Sequence, residues 1–479
     1  MADNRPNILW ICTDHQRYDT IHALGNPYIR TPNLDRLVQE GVAFTSAFSQ
    51  NPFCTPSRAS FLTGCYPGAV HVTRNGNASF PASERLITRR LADAGYDCGH
   101  VGKLHLSAAQ GRVEVRPDDG YRVFKWSHHP YPEEWWPMKQ HDYQLWLREQ
   151  GVRWDQAYGG AYNGIETRYH QTTWCANEAI AFMSEQRDGP WLMSVNPFDP
   201  HPPFDPPPEY MARMDVNAMP LPLFRPSELE SQLAFADIVH HTRTPRDPAT
   251  YDAQRMLAAY YAQIELIDSQ VGRMLDALAA TGQRENTIVI FTSDHGGMLG
   301  DHGLLKKGCR FYEGAVHVPL IISWPGRLRG GQPNDALVEL TDIAPTLYEA
   351  LDMRIPEFVQ GKSLLPLLTG QCAPKSHRSF VRSEYHNSLH PGCVRPRYDD
   401  TAYWPYHCHA NMIYDGRYKL VVYHGHSVGE LYDLEQDPHE FENLWDVPAM
   451  AGTKADRIRQ IFDAVMLTAD DGQPRVGLF

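Results

Sequence analysis

Apolar residues run almost without a break through residues 7–13 and give way to Asp14 and His15, the pattern of a strand buried on both faces that delivers an acid at its carboxyl end. Thr31 and Pro32 then open a helix, with Thr31 as its N-cap, Pro32 in the first turn and Gly41 as the stop. A second helix begins at Pro56 and runs to Gly64, and residues 86–94 continue the helical spacing before a strand over 96–101. Residues 191–195 form another buried strand, and the Pro-rich stretch 196–208 after it reads as loop. A long helix comes next over 252–280, then strands over 286–292 and 318–323. Alternating strands and helices imply an α/β fold with a large, mostly parallel (mixed) central sheet flanked by helices. Past residue 370 the pattern shortens to strand-like pieces such as 418–423 and 430–434, which places a smaller α+β domain at 371–479 behind a first domain at 1–370.

In open parallel sheets ligands bind at the carboxyl ends of the strands, and Asp14, His201, Asp294 and His295 all fall just after such ends. At 479 residues the chain is too long for one compact core, which fits two domains of unequal size. Lys and Arg number 44 against 57 Asp and Glu, a formal charge of −13 that excludes nucleic acid as a partner, because such binding needs cations to neutralise phosphates. A small anionic substrate stays open, since positive groups need converge only locally. The first residues carry no basic region followed by a long apolar stretch, and no run approaches membrane-spanning length, so neither a signal peptide nor a membrane partner is expected. Nine cysteines (12, 54, 65, 98, 175, 309, 372, 393, 408) are scattered without paired CxxC spacing, which points to a reducing cytoplasmic location rather than a disulfide framework.

The segment from Cys54 to Gly64 carries the sharpest chemistry. A cysteine just ahead of a proline-started helix sits at the positive end of the helix dipole, and Arg58 one turn on adds a fixed charge. An isolated cysteine in such a place is more often a structural thiol. Here, however, the segment resembles the sulfatase signature at each of its positions: Cys54, Pro56, Ser57, Arg58, then Leu62, Thr63 and Gly64. The resemblance implies that a formylglycine-generating enzyme converts Cys54 to formylglycine (3-oxoalanine), whose hydrated aldehyde is the nucleophile.

Other segments extend that resemblance over most of residues 5–325. Asp14 and the pair Asp294-His295 could each be helix caps or turn residues taken alone; together, with residue 54, they resemble the family's site for one divalent cation. The common pattern has a second aspartate at position 15, where this chain has His15, whose role is left unassigned. Phosphonate monoester hydrolases, and a sulfatase branch similar to this chain, share the single aspartate. Ca2+ is the first expectation, and with His295 as a ligand Mn2+ is the alternative. Gly102-Lys103-Leu104-His105 resembles the family's Gly-Lys-x-His element, and Pro200-His201-Pro202-Pro203 its Pro-His-x-Pro loop. Lys307 is similar to the late active-site lysine, with the adjacent Lys306 a rival for the assignment. Asn75 stands where related phosphonate hydrolases have a substrate-binding asparagine, and His71 and Arg74 compete with it. The stretch Glu430 to Leu434, with Asp437-Pro438 and Glu442 to Leu444, is similar to a C-terminal sulfatase segment.

On this resemblance the first domain is catalytic and the substrate a small anionic ester. Lys103, Lys307, Arg58 and the metal hold the anion; Asp294 takes the proton of the attacking hydroxyl; His201 protonates the departing alcohol. His105 then deprotonates the second hydroxyl of the diol so that sulfate is expelled. Aromatic stretches at 128–131, 134–136 and 404–407 could wall an apolar leaving group, so aryl sulfates are the expected substrates, or they could be core or subunit contacts. A phosphonate or phosphate ester hydrolase sharing the same nucleophile is the rival reading. A non-catalytic binding protein would lack some active groups, yet each expected position is filled. A homo-oligomer is also expected.

Overall fold

Six of the seven residues of β1 (Asn7–Thr13) are buried, and the strand lies in the middle of a seven-stranded sheet. The computed structural model describes residues 5–83, 85–109, 112–129, 141–238, 244–328, 330–331, 333–387 and 408–469. Of the three aromatic stretches, only His128 and His129 fall among these; Pro130, Tyr131, Glu134, Trp135, Trp136, Trp404, Pro405, Tyr406 and His407 lie outside the described residues.

The remaining strands are β2 (Val42–Phe44), β3 (Ala47–Phe48), β4 (Asp97–Gly102), β5 (Val123–Trp126), β6 (Trp191–Asn196), β7 (Thr287–Ser293), β8 (Leu320–Ser323), β9 (Val338–Glu339), β10 (Val381–Asn387), β11 (Cys408–Tyr414), β12 (Tyr418–Tyr423) and β13 (Gly429–Asp433). The large sheet runs β2-β8-β7-β1-β6-β4-β5. The strands from β7 to β5 are parallel, while β8 runs antiparallel to β7 and β2 antiparallel to β8. Leu9 of β1 sits opposite Met193 on one side and Val289 on the other. That register sets the carboxyl ends of β1, β4, β6 and β7 side by side along one edge.

Alternate residues of each strand feed two cores. Leu9, Ile11, Val289 and Phe291 pack with Leu34 and Leu37 of α1 (Pro32–Glu40) and with the helices Gln171–Met183 and Ala253–Ala280. Ile8, Trp10, Ile288 and Ile290 face the other way, onto Phe61 and Leu62 of α2 (Cys54–Thr63), Ile87 and Leu91 of α3 (Ile87–Asp93), and the helix Ile343–Ala350. Because β1 and β7 are covered on both faces, their sequences are near-continuous apolar runs rather than alternating ones.

Strands β10 to β13 form a second, antiparallel sheet. One face packs on the helix Ala451–Met466 through Ile413, Leu420, Leu431 and Ile461. The other shares a cluster with Met298, Phe311 and Val316 and with Phe48 of β3, which pairs with β9 in a separate two-stranded sheet, so the second sheet packs on segments outside the large sheet. No helix among the described residues is long and apolar enough to cross a membrane.

Two expectations at helix starts are corrected. Thr31 does not cap α1 with its side chain; its hydroxyl donates to Asp35 and accepts from His22 N–H, while Asp268 on the long helix takes the free N–H groups of Asn33 and Leu34 at 3.0 and 2.8 Å. A long-range carboxylate outcompetes the local hydroxyl. And α2 begins at Cys54 itself rather than at Pro56, so residue 54 occupies the first helical position.

Candidate active site

Every residue of α2 is buried, and its N-terminus points at the carboxyl ends of β1 and β7. Asn51 Oδ1 accepts from Phe53 N–H at 2.8 Å and Asn75 Oδ1 from Thr55 N–H at 3.0 Å, which ties down the turn on either side of Cys54. The Ser57 hydroxyl donates to the Asp294 carbonyl. Arg58 Nε donates to Asp294 Oδ2 at 2.8 Å, and its Nη1 donates to the Lys103 carbonyl at 2.7 Å and Asn196 Oδ1 at 3.2 Å. One buried guanidinium thus ties together the carboxyl ends of β7, β4 and β6.

Gly102 ends β4 with φ +100°, and a Cβ there would come within 1.9 Å of the Asn196 carbonyl oxygen. Only glycine permits that approach, which lets Lys103 N–H donate to the same oxygen at 2.9 Å and sends the lysine inward. Lys103 Nζ donates to Asp14 Oδ2 and lies 3.4 Å from Cys54 Sγ. Around Cys54 Sγ stand Lys307 Nζ at 3.0 Å, His295 Nε2 at 3.1 Å and Asp14 Oδ1 at 3.6 Å. Lys306 is exposed while Lys307 Nζ reaches Cys54 Sγ and His295 Nε2, so Lys307 is the lysine at the cluster.

Burial and the Asp14 carboxylate push the Cys54 thiol up, but Lys103, Lys307 and His295 outweigh them and bring it down to about 5. Burial likewise acts against ionised Asp14, and Lys103, followed by His201 and Lys307, overcomes it and holds the carboxyl well below its usual range. Lys103 is kept charged against burial by Asp14 and Cys54. The spot occupied by Sγ therefore stabilises an anion.

Histidines rim the cluster. His201 and His105 are held well below the ordinary imidazole value by burial first, with Lys307 adding to it at His201 and Lys103 at His105. His201 Nδ1 faces the Pro202 carbonyl at 2.7 Å, which leaves its Nε2 for another partner. The His15 ring lies edge-on between those of His201 and His295, at 5.3 and 5.2 Å between centroids, and both its nitrogens are buried without a hydrogen-bond partner. Its room is made by Gly297, where a Cβ would meet His15 Nε2 at 1.9 Å. Both His15 (φ 73°) and His105 (φ 54°) have left-handed backbones, a strain of about 1–3 kcal/mol each that concentrates at functional sites.

The donors of Asp14, Cys54, Asp294 and His295 all lie within 4.8 Å of one another, and all four residues are buried. His295 Nδ1 faces the Gly296 carbonyl at 2.7 Å, so when the ring is neutral, as a metal ligand must be, its proton sits on Nδ1 and the Nε2 lone pair faces the cluster, 3.6 Å from both Asp14 Oδ1 and Asp294 Oδ1. Two carboxylates, an oriented imidazole and the side chain of residue 54 fit one divalent cation.

Asp14, Cys54, Arg58, Lys103, Asp294, His295 and Lys307 thus meet, with His105 and His201 beside them. Asn75 is exposed at the rim, one residue from Cys54, with its carbonyl turned to the Thr55 amide. Sequence reasoning missed Asn196 and Glu114 and gave His128 and His129 no place at the cluster. Asn196 carried the same signal as Asp294, a polar residue at a strand end. Glu114 carried none, because its partners are backbone amides that no motif displays.

The chain matches the family model described as Sulfatase over residues 6–353, and one described as N-sulphoglucosamine sulphohydrolase, C-terminal, over 300–465. It is similar to an arylsulfatase of Clostridium perfringens, 30% identical over 464 residues that cover 92% of this chain and 90% of the relative. A multifunctional alkaline phosphatase superfamily protein of Trinickia caryophylli is 29% identical, covering 94% and 93%. Among solved structures, a phosphonate monoester hydrolase of Agrobacterium radiobacter superposes with a TM-score of 0.80 at 26% identity, covering 97% of this chain and 96% of that one.

Proposed function

The chain belongs to the sulfatase family and is a sulfuric ester hydrolase, and from that premise we propose that it cleaves small aryl or similarly apolar sulfate esters with residue 54, matured to formylglycine, as nucleophile. The observation that carries this reading is the convergence of Lys103 Nζ, Lys307 Nζ and His295 Nε2 within 3.4 Å of Cys54 Sγ. A bound Ca2+ or Mn2+ would draw charge from the ester oxygens while hydrated residue 54 supplies the attacking hydroxyl.

Lys103 and Lys307 hold the sulfate oxygens and neutralise the charge that grows on them, in a setting where burial strengthens each contact. Arg58 fixes Asp294 through Oδ2, and Asp294 takes the proton that residue 54 gives up. His201, whose Nδ1 donates to the Pro202 carbonyl, has an Nε2 lone pair that takes up a proton from solvent when the anionic ester enters the site and passes it to the departing alcohol. His105, whose buried Nδ1 has no hydrogen-bond partner, collects the second proton from residue 54 when sulfate leaves. Asn75 touches substrate at the rim.

The test is 4-nitrophenyl sulfate hydrolysis by protein co-expressed with a formylglycine-generating enzyme, with mass spectrometry of the peptide bearing residue 54. Turnover should track the fraction of aldehyde, and Cys54→Ser should release at most one nitrophenolate per chain. Sustained turnover by Cys54→Ser overturns the reading. A second reading, phosphonate or phosphate ester hydrolysis at the same centre, is favoured by the imidazole in the donor set and by the phosphonate monoester hydrolase neighbour. It takes over if kcat/KM for an aryl phosphonate monoester or phosphate diester exceeds that for the aryl sulfate.

A further inference from the structure

Glu114 is 4% exposed and lies outside every motif, yet its carboxylate accepts three hydrogen bonds at the edge of the site: from His105 N–H at 2.7 Å, Leu106 N–H at 2.8 Å and Trp126 Nε1 at 2.8 Å. The first two come from the turn that carries His105, whose backbone sits in the left-handed region at φ 54°. The third comes from the end of β5, two residues before His128. The His128 ring stands edge-on to that of His105 with 4.6 Å between centroids, so the imidazole is braced from both sides of the same carboxylate.

A left-handed histidine is not held by local preference. Two adjacent amides aimed at one carboxylate are what hold it here, and the neighbouring pair Val115 N–H to Ser107 Oγ, at 3.1 Å, continues the same clamp along the chain. Each oxygen of Glu114 takes one backbone amide, Oε1 the His105 N–H and Oε2 the Leu106 N–H, and Oε1 takes the Trp126 indole as well. An amide side chain offers one acceptor oxygen and an NH2 that would confront an N–H, so the arrangement is specific to a carboxylate.

We propose that Glu114 is a positioning residue for His105, fixing the backbone and ring of the group that takes a proton when sulfate leaves; this rests on the proton-accepting role of His105 under the proposed function. Glu114 acts through His105 alone and contacts no substrate. Its effect belongs in the step that expels sulfate from residue 54, so kcat and KM fall together while kcat/KM, which reports the earlier attack on the ester, stays near the parent value; a displaced base slows that proton transfer without weakening the hold of Lys103 and Lys307 on the anion.

The experiment is a double-mutant cycle on the formylglycine form with 4-nitrophenyl sulfate, together with hydrogen–deuterium exchange of the peptide spanning 103–109. Glu114→Gln should lower kcat by about 10–100-fold with KM falling in parallel, so that kcat/KM stays within about threefold, and should speed exchange of that peptide while the melting temperature shows the chain folded. In a His105→Ala background Glu114→Gln should change kcat by less than about twofold. Glu114→Ala serves as the second variant, with the same expected pattern. Independent, multiplicative losses in the cycle, or unchanged exchange at 103–109, overturn the proposal. A His105→Ala variant at the parent rate removes the assignment of His105 and this proposal with it, while sulfatase activity itself stands.

Discussion

At the scale of single residues, the cluster makes two adjacent lysines unequal. Lys307 Nζ lies 3.0 Å from Cys54 Sγ and 2.8 Å from His295 Nε2, whereas Lys306 is exposed. Removing a preorganised cation from a buried anion site costs about 10²–10³-fold in rate, and removing a solvated one costs little. Lys307→Ala should therefore lose about that factor in kcat/KM for 4-nitrophenyl sulfate, and Lys306→Ala should stay within about twofold. Equal losses would contradict the placement. The sequence could not separate the pair, because one step along a loop moves a side chain from site to solvent and no period governs a loop. Residues 14, 54, 58 and 294 were legible because each stands at a strand end or near a helix start, where the chain itself fixes direction, whereas Lys103 was reached only through its resemblance to the Gly-Lys-x-His element. Glu114 was not, because its meaning lies in amides that are invisible in a sequence.

At the scale of elements, the buried parallel strands were readable to within two residues: 96–101 was expected against β4 at Asp97–Gly102, and 286–292 against β7 at Thr287–Ser293. Continuous apolar runs leave no other placement. The edge strand β5 and the polar β10 passed unseen, because three of four residues in β5 are only half-buried and β10 reads Val-Arg-Ser-Glu-Tyr-His-Asn. The start of α1 shows the same limit, since its true cap, Asp268, is far away in the chain. Burial pushes the Asp268 carboxyl up to about 6, and it still accepts from Asn33 N–H, Leu34 N–H and Asn33 Nδ2. Leaving such amides unpaired costs about 1–3 kcal/mol. Asp268→Ala should lower the melting temperature more than Thr31→Ala does, by about 1–3 °C given an unfolding entropy of about 1 kcal/mol/K for a chain of this length. A larger drop in Thr31→Ala would restore the local cap as the stronger one.

At the scale of the whole molecule, the second sheet is held to the rest of the chain by charge as well as by the apolar cluster around Phe48 and Met412. Asp342, in the 3-10 turn Leu340–Asp342, accepts from Arg378 and from Lys362 N–H at 2.7 Å, and lies 3.3 Å from His377 Nε2; Arg378 also stands 3.2 Å from Glu339. His377 and Arg378 come just before β10, so this buried pair fixes the start of the second sheet against the turn after β9. Burial acts against the ionised carboxyl, but Arg378 and His377 prevail and hold Asp342 below the usual carboxylate range. A carboxyl depressed on folding contributes stability that is fully present above the unfolded value, near pH 4, and is lost as pH falls below it, at about 1.4 kcal/mol for each unit of depression. Asp342→Asn strands a buried guanidinium and should cost about 3–5 kcal/mol at pH 7. Because that loss includes the carboxylate's own contribution, the gap in melting temperature between parent and variant should narrow as pH drops from 7 to 3, with most of the change below pH 4. A gap that stays constant over that range would mean Asp342 titrates alike in the folded and unfolded chain, and the ionic joint at the start of the second sheet would then contribute nothing that depends on its charge.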